Sequence, residues 1–322
     1  GLLTQTPAYI KSNRYVKGQV LFIDLGTPKP DHYAGDVLSE SYIIALREAG
    51  YAVTLLPYLD LRHSNGYTEA LQKKGVECIY SPYLSSAEQY IIQNGDRFDF
   101  VVVSRVDAAT EIIDLIKEYS PKAKIIFNTI DLHFMRLLRA AQLSGKDEDL
   151  AYARKAQEIE INVIQKADCT LVVSDVEKQL LANLIPDAFV KVVPFPADCY
   201  ESQNEFNERT DIVFLGGFMH KPNVDAVLFF AQEIWPLISP TLPEARFIIG
   251  GADAPKEICD LASETILVKG FVEDLTRFFD FAKLSVAPLR FGAGIKGKIL
   301  TSLGHGVPCV ATSIASEGIG LI

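Results

Sequence analysis

The stretch Val20-Leu21-Phe22-Ile23-Asp24-Leu25 decides the fold. Its apolar run is continuous and does not alternate with polar residues, so a strand there is covered on both faces, as in a parallel sheet. From Val37 to Ala49 the pattern changes. Apolar residues recur at 38, 42, 45, 46 and 49, and Gly50 closes the run, which predicts a helix. The same strand-then-helix rhythm continues outward. Further strands are expected at 52–58, 77–80, 98–104, 124–130, 169–174 and 190–194. This is the alternation of a doubly wound domain.

At Pro194-Phe195-Pro196 the rhythm stops, and a polar stretch follows from Glu201 to Arg209. Prolines and polar residues together read as an interdomain linker. Alternation then resumes, with strands expected at 211–215, 246–249, 265–268, 284–288 and 308–312. The expected architecture is therefore α/β, with two Rossmann-like domains built on parallel sheets. They are placed at 1–196 and 197–322, and the second is expected to be cut short after its fifth strand.

Composition narrows the function classes. The 322 residues are 48% hydrophobic and 22% charged, enough to bury a core and too apolar for a disordered chain. A net charge of −10 argues against nucleic acid as a partner. The five cysteines form no C-x-x-C pair and the five histidines are dispersed, so no metal site is expected and a reducing, cytoplasmic setting is. No apolar run reaches the roughly 18 residues of a membrane helix. Gly1-Leu2-Leu3-Thr4-Gln5 has neither the charge nor the apolar core of a signal peptide. It also lacks an initiator Met, so the chain is read as a processed product or a piece of a longer protein.

In open α/β sheets ligands bind beyond the carboxyl ends of the strands, where helix N-termini point their N–H groups. The loops there carry the candidate chemistry. Leu289 to Lys298 combines Gly292, Gly294 and Gly297 with Arg290, Lys296 and Lys298 at a helix entry expected near 295, which suits a diphosphate cradle. Solvated lysines on a glycine-rich loop are the plainer reading. Residues 292–297 also satisfy G-x-G-x-x-G, and Glu317 stands 20 residues beyond Gly297, where a ribose-binding acid is wanted. A nicotinamide oxidoreductase is therefore a rival, although that fingerprint belongs to the first βα turn of its domain. The loop at 215–223 offers Gly216 and Gly217 for close backbone approach and Lys221 for a phosphate, with Asn223 as a helix cap. Gly35 ends a long loop that could face a ligand across the cleft. Asp131 and His133 follow the 124–130 strand and could hydrogen-bond a sugar hydroxyl. At Gly270-Phe271-Val272 an aromatic ring and open backbone could hold a flat base; the alternative is a turn capped by Glu273 or Asp274. The run His133 to Ala141 is basic and apolar enough to suggest peripheral membrane contact, unless its arginines pair with acids.

Taken in order, Phe214-Leu215-Gly216-Gly217, Lys221-Pro222-Asn223, Phe247-Ile248-Ile249-Gly250-Gly251, Gly270-Phe271-Val272-Glu273-Asp274-Leu275, Val286-Ala287-Pro288-Leu289, Gly292 to Lys298 and Gly304 to Thr312 resemble the donor domain of GT-B glycosyltransferases of family 4, bacterial type. Asp131-Leu132-His133-Phe134 is similar to a segment of that family's acceptor domain. The resemblance implies transfer of a hexose from a nucleotide sugar such as a UDP- or GDP-sugar to a hydroxyl of a glycan, lipid or protein, with retention and without a metal or other cofactor. It implies that Phe271 and Val272 sit near the base, that Gly292 to Lys298 hold the diphosphate, and that Gly35 and His133 approach the donor sugar. The family's paired glutamates fall on Ala293 and Thr301 here, which makes a catalytically degenerate nucleotide-sugar-binding module the second alternative.

Overall fold

The computed structural model describes residues 16–320. The N-terminal stretch Gly1 to Gln5 and the final Ile322 lie outside the described residues. The first sheet holds β1 (Gln19–Asp24), β2 (Ala52–Pro57), β3 (Glu77–Cys78), β4 (Phe100–Ser104), β5 (Lys124–Asn128), β6 (Cys169–Val172) and β7 (Val190–Val192). Its helices are α1 (Ala34–Glu48), α2 (Tyr67–Lys73), α3 (Ala87–Asn94), α4 (Val106–Tyr119), α5 (His133–Ser144), α6 (Asp147–Lys166) and α7 (Asp175–Leu184). The second sheet holds β8 (Asp211–Leu215), β9 (Phe247–Gly250), β10 (Ile266–Gly270), β11 (Ala282–Ala287) and β12 (Cys309–Ala311). Its helices are α8 (Lys221–Phe229), α9 (Trp235–Ile238), α10 (Lys256–Cys259), α11 (Leu275–Asp280), α12 (Gly297–Gly304) and α13 (Ser313–Ser316), with a π turn at Phe230–Ile234 joining α8 to α9.

Every strand pair is parallel. The sheet orders are β3-β2-β1-β4-β5-β6-β7 and β10-β9-β8-β11-β12. The packing explains the continuous apolar runs. On β1, Leu21 and Ile23 enter one core with Val101, Ile112 and Phe127, while Val20 and Phe22 enter another with Val53, Leu55 and Leu71. On β8, Ile212 and Phe214 face one cluster and Val213 the other. Period-2 geometry sends neighbours to opposite faces, and both faces are buried.

The expected strands are found, with ends shifted by a few residues. The helix expected from Val37 starts earlier, at Ala34, because Tyr33 takes the extended N-cap conformation. The helix expected near 295 starts at Gly297, because Gly294 is left-handed (φ +67°) and Lys296 is extended. Between β7 and β8 the only regular element is a short 3-10 turn at Phe206–Glu208. We propose 196/197, inside that segment, as the domain division. Among the described residues, no helix is long and apolar enough to cross a membrane.

Candidate active site

A cleft of about 900 Å³ opens between the carboxyl edges of the two sheets. The topology puts it there. In the first sheet the chain winds outward from β1 to β2 and β3, then returns to place β4 on the other side of β1; β8 and β11 repeat this in the second. Loops leaving such adjacent strands diverge and leave a crevice. The cleft is accordingly lined by the loops after β1 and β4 on one side and after β8 and β11 on the other.

On the second-domain wall, α12 begins without a side-chain cap at Lys296, and α8 begins without one at His220. In α8 Pro222 has no N–H and Asn223 N–H is taken by the His220 carbonyl at 2.9 Å, so the N–H groups that carry partial positive charge toward a ligand are chiefly those of Gly297 and Lys298 at the head of α12. Lys298, in the first turn of α12, donates from Nζ to Asn223 Oδ1. Its ammonium also lies 4.3 Å from the centre of the Phe214 ring. Asn223 in turn donates to the Gly217 carbonyl at 2.7 Å, so one small network ties the two helix starts together. Burial, helped by Lys296, pushes Lys298 down to about 7. Burial also pulls Lys296 to about 8, against the opposing pull of Glu317. Lys296 donates to the carbonyls of Ala293 (3.1 Å) and Gly294 (2.6 Å), so its charge also stiffens the loop. Lys296, Gly297 and Lys298 all line the cleft.

Five other expected contacts fall elsewhere. Arg290 is outside the lining; it pairs with Asp225 and lies over Phe229, which uses up its charge. Lys221 is exposed and also outside the lining, because the first turn of α8 turns it to solvent. Gly292 and Gly294 serve the loop rather than the cleft surface. Gly292 accepts a bond from Arg139 at 2.7 Å, and a Cβ on Gly294 would stand 2.9 Å from Asp131 Cβ. Glu317 gives both carboxylate oxygens to Arg139, at 2.7 and 2.8 Å, and lies outside the lining. The G-x-G-x-x-G run follows β11, an inner strand of the second sheet, not the first βα turn, which removes the geometric basis of the nicotinamide reading.

On the first-domain wall, the carboxyl ends of β1 and β4 hold a buried ion cluster. Arg105 donates to Asp24 at 2.8 Å and to Asp36 at 2.5 Å, and Ser39 donates to Asp24 at 2.5 Å. Arg105 sits at φ +73° and Ile130 at φ +65°, left-handed conformations that cost a non-glycine residue free energy and gather at functional sites. Gly35 lines the cleft above this cluster; a Cβ there would stand 3.1 Å from both Arg105 Nη1 and Ile130 Cγ2.

Asp131 also reaches the cleft, with Arg136 donating to it at 2.9 Å. Burial would raise its carboxyl, but Arg136 more than offsets that and holds it below the usual range. His133 does not line the cleft. Its Nδ1 lies 2.9 Å from Arg136 Nη2, and burial with that cation lowers its proton affinity. Three other histidines line the cleft, His32, His220 and His305; of these His220, the N-cap of α8, lies beside Asp131, and burial pushes it down to about 4 with Asp131 opposing. The two arginines that suggested membrane contact are both taken up inside the molecule, Arg136 by Asp131 and Arg139 by Glu317.

Loop residues from the first domain cross to the second. His32 stacks on Phe271 with ring centres 4.7 Å apart, and Tyr33 donates to Asp253 at 2.9 Å. Phe271 and Val272 both line the cleft, so His32 faces the ring expected to meet a base. Gly217 allows the approach; a Cβ there would lie 3.2 Å from the His32 carbonyl oxygen. Asp274 caps α11, accepting from Arg277 N–H at 3.0 Å. Ala293 and Thr301 line the cleft as well. Sequence reasoning missed Arg105, Arg136, His32 and His220. The partners of Arg105 and His32 lie far away along the chain, whereas Arg136 meets Asp131 five residues back, and only the basic character of the segment around Arg136 was a visible signal.

Residues 209–320 match the family described as glycosyl transferases group 1. An uncharacterized 44.6 kDa protein from the cps region of Klebsiella pneumoniae is 20% identical over 231 residues, covering 67% of this chain and 55% of that protein. The chain thus spans about half the length of that curated relative. Sucrose-phosphate synthase from Thermosynechococcus elongatus superposes with a TM-score of 0.69 at 12% identity, over 95% of this chain and 84% of that one. Anabaena HepE, solved in complex with UDP-glucose, gives 0.64 at 14% identity, over 92% and 80%. At such identities the likeness speaks for the fold. The second domain is a glycosyl transferases group 1 domain, carried on a chain whose two parallel sheets form the GT-B fold.

Proposed function

We propose that this chain moves a hexose from a nucleotide sugar to a hydroxyl acceptor, with retention and without a metal. The observation that carries the reading is the uncapped start of α12 with Lys298 half-buried beside it, opening into a cleft walled by the other domain. Negative charge grows on the leaving diphosphate as the glycosidic C–O bond breaks. N–H groups and ammonium groups fixed in a desolvated cleft stabilise that charge without having to reorganise. Lys298 is the principal cation, Lys296 the second, and the α12 and α8 termini supply dipoles. Phe271 and Val272 take the base. Across the cleft, Asp131 and the Gly35 loop face the sugar.

No side chain stands out as a nucleophile. A front-face route fits this, in which the leaving phosphate oxygen accepts the proton of the attacking hydroxyl while the new C–O bond forms on the same face. The Anabaena neighbour solved with UDP-glucose supports a UDP-sugar as the first donor to try. The acceptor class is a glycan, lipid or protein hydroxyl.

The test is a thermal-shift and turnover screen with UDP, GDP, ADP, CMP and NADH and the matching sugar nucleotides. A ligand that binds only the folded chain raises its melting temperature by mass action. Stabilisation by one nucleoside diphosphate, together with release of that diphosphate from its sugar conjugate, supports transfer. Binding without release supports the degenerate module, and stabilisation by NADH alone overturns the reading.

A further inference from the structure

Two buried glutamates remain that the proposed transfer does not use. Glu160 on α6 and Glu177 on α7 are each only 1% exposed. Both turn toward the start of α5, where Leu132, the N-cap, provides no side-chain cap. Glu160 accepts N–H bonds from His133 (3.2 Å) and Phe134 (2.8 Å). Glu177 accepts from Leu132 (3.2 Å) and, with its other oxygen, from Val173 (3.2 Å) and the Ser174 hydroxyl (3.3 Å). Three successive amides at the head of α5 are thus held by carboxylates from two other helices. Immediately before them stand Ile130, at φ +65°, and Asp131, which lines the cleft.

We propose that Glu160 and Glu177 act together as positioning residues for Asp131, anchoring from behind the loop that delivers it to the cleft. The reasoning is geometric. A left-handed non-glycine residue persists only where its surroundings over-determine it. Here the restraint comes from N–H bonds on the residues that follow. Buried carboxylates are also costly as cap acceptors, when a serine or aspartate at position 132 would cap the helix locally. Using them ties the loop to α6 and α7, and so fixes its height over the cleft.

The charges around the anchors tie them to Asp131. Glu160 faces Asp131 and Glu177; Glu177 faces Asp131, Lys296 and the Tyr42 phenol; Asp131 itself faces Arg136, His133 and His220. Burial raises Glu160 to about 8 and Glu177 to about 7, and Asp131 adds to both after the amides pull the other way. Ionisation of either anchor therefore places a second negative charge behind Asp131.

This inference rests on the donor reading for its relevance to transfer, so its test has an arm independent of turnover. Glu160→Gln and Glu177→Gln keep shape and an acceptor oxygen but cannot ionise; Glu160→Ala removes the acceptor. Hydrogen exchange at Leu132, His133 and Phe134 is the first measurement. Exchange at His133 and Phe134 is expected to accelerate at least about tenfold in Glu160→Ala; in Glu160→Gln, which keeps one acceptor oxygen for the two N–H groups, one of these amides is expected to stay within about threefold of wild type and the other to accelerate. The second measurement is background hydrolysis of the sugar nucleotide from pH 6 to 9. The wild-type rate is expected to bend between about pH 7 and 8, where Lys296 and Lys298 titrate as well as the two glutamates; each Gln variant is expected to lose the share of its own glutamate, and the double Glu160→Gln/Glu177→Gln variant to keep only the lysines' share. Should Glu160→Ala exchange like wild type, or should the Gln variants keep the wild-type pH profile, the proposal is overturned. A wild type that hydrolyses no sugar nucleotide refutes the donor reading, and the exchange arm then decides the positioning role alone. If Glu160→Ala does not fold, exchange in Glu177→Ala decides it in the same way at Leu132.

Discussion

Arg139, on α5 of the first domain, holds Glu317 beyond α13 of the second domain in a two-pronged ion pair, with Nη1 and Nη2 at 2.7 and 2.8 Å from its two carboxylate oxygens. The same Nη1 donates to the Gly292 carbonyl at 2.7 Å, so one guanidinium joins the far domain at two points. Bidentate geometry gives this pair more strength than a single surface contact. Both side chains are about one-fifth exposed, which leaves some screening by solvent.

Breaking this link should loosen the cleft. Glu317→Ala leaves Arg139 with only the Gly292 carbonyl. Stability is expected to drop by about 1–2 kcal/mol. Small-angle scattering is expected to show a larger radius of gyration. An unchanged radius and an unchanged melting temperature would show that the pair does not hold the domains together.

The approach of Gly294 to the Asp131 loop gives a second prediction. Gly294 sits at φ +67°, and an added Cβ would meet Asp131 Cβ at 2.9 Å. Gly294→Ala meets both a backbone penalty and a clash, each about 1 kcal/mol. Thermal unfolding is expected to report the combined loss. Gly145→Ala, equally left-handed (φ +66°) but with open space around it, is expected to lose only the backbone share.

Stability should fall as pH rises through the neutral range. An unfolded Glu160 gives up its proton near its ordinary value of 4.5, whereas the folded one keeps it to about 8. Its contribution is therefore full below pH 4.5 and is lost progressively up to about pH 8. The total is on the order of 5 kcal/mol. Denaturant midpoints measured across that window should decline in the wild type, and the decline should flatten in Glu160→Gln.

Much of this architecture is legible in the sequence, because parallel strands buried on both faces read as unbroken apolar runs. Val20 to Ile23 and Ile212 to Leu215 are examples. The glycine-rich entry to α12 is legible for a similar reason, since its loop must bend and its helix must start. What sequence cannot show is which charges are already spent. Arg290 and Asp225 are 65 positions apart, and Arg139 and Glu317 are 178 apart. Nothing local marks them as partners. The choice between His133 and His220 depends on which side of a helix start faces the other domain, so the stronger-looking motif, Asp131-Leu132-His133, supplies its aspartate to the cleft and not its histidine.

Proton uptake gives a further prediction. Lys298 sits near 7 in the free protein, and a diphosphate beside it restores its charge. Nucleotide binding at pH 8 should therefore take up close to one proton at Lys298 and about half of one at Lys296, and at pH 6 almost none at either. Calorimetry in buffers of different ionisation enthalpy measures this directly. Equal uptake at both pH values would place the diphosphate away from Lys298.

The most direct measurement is the dissociation constant of the nucleoside diphosphate for Lys298→Ala, beside Lys221→Ala and Arg290→Ala. Loss of a buried charge-assisted contact is worth about 1.5–3 kcal/mol, which weakens Lys298→Ala by roughly 10- to 100-fold. The other two replace cations that the structure places off the cleft, and their affinities are expected to stay within about twofold. If Lys298→Ala binds as tightly as the wild type while Lys221→Ala or Arg290→Ala loses affinity, the diphosphate does not sit at the start of α12 and the account fails.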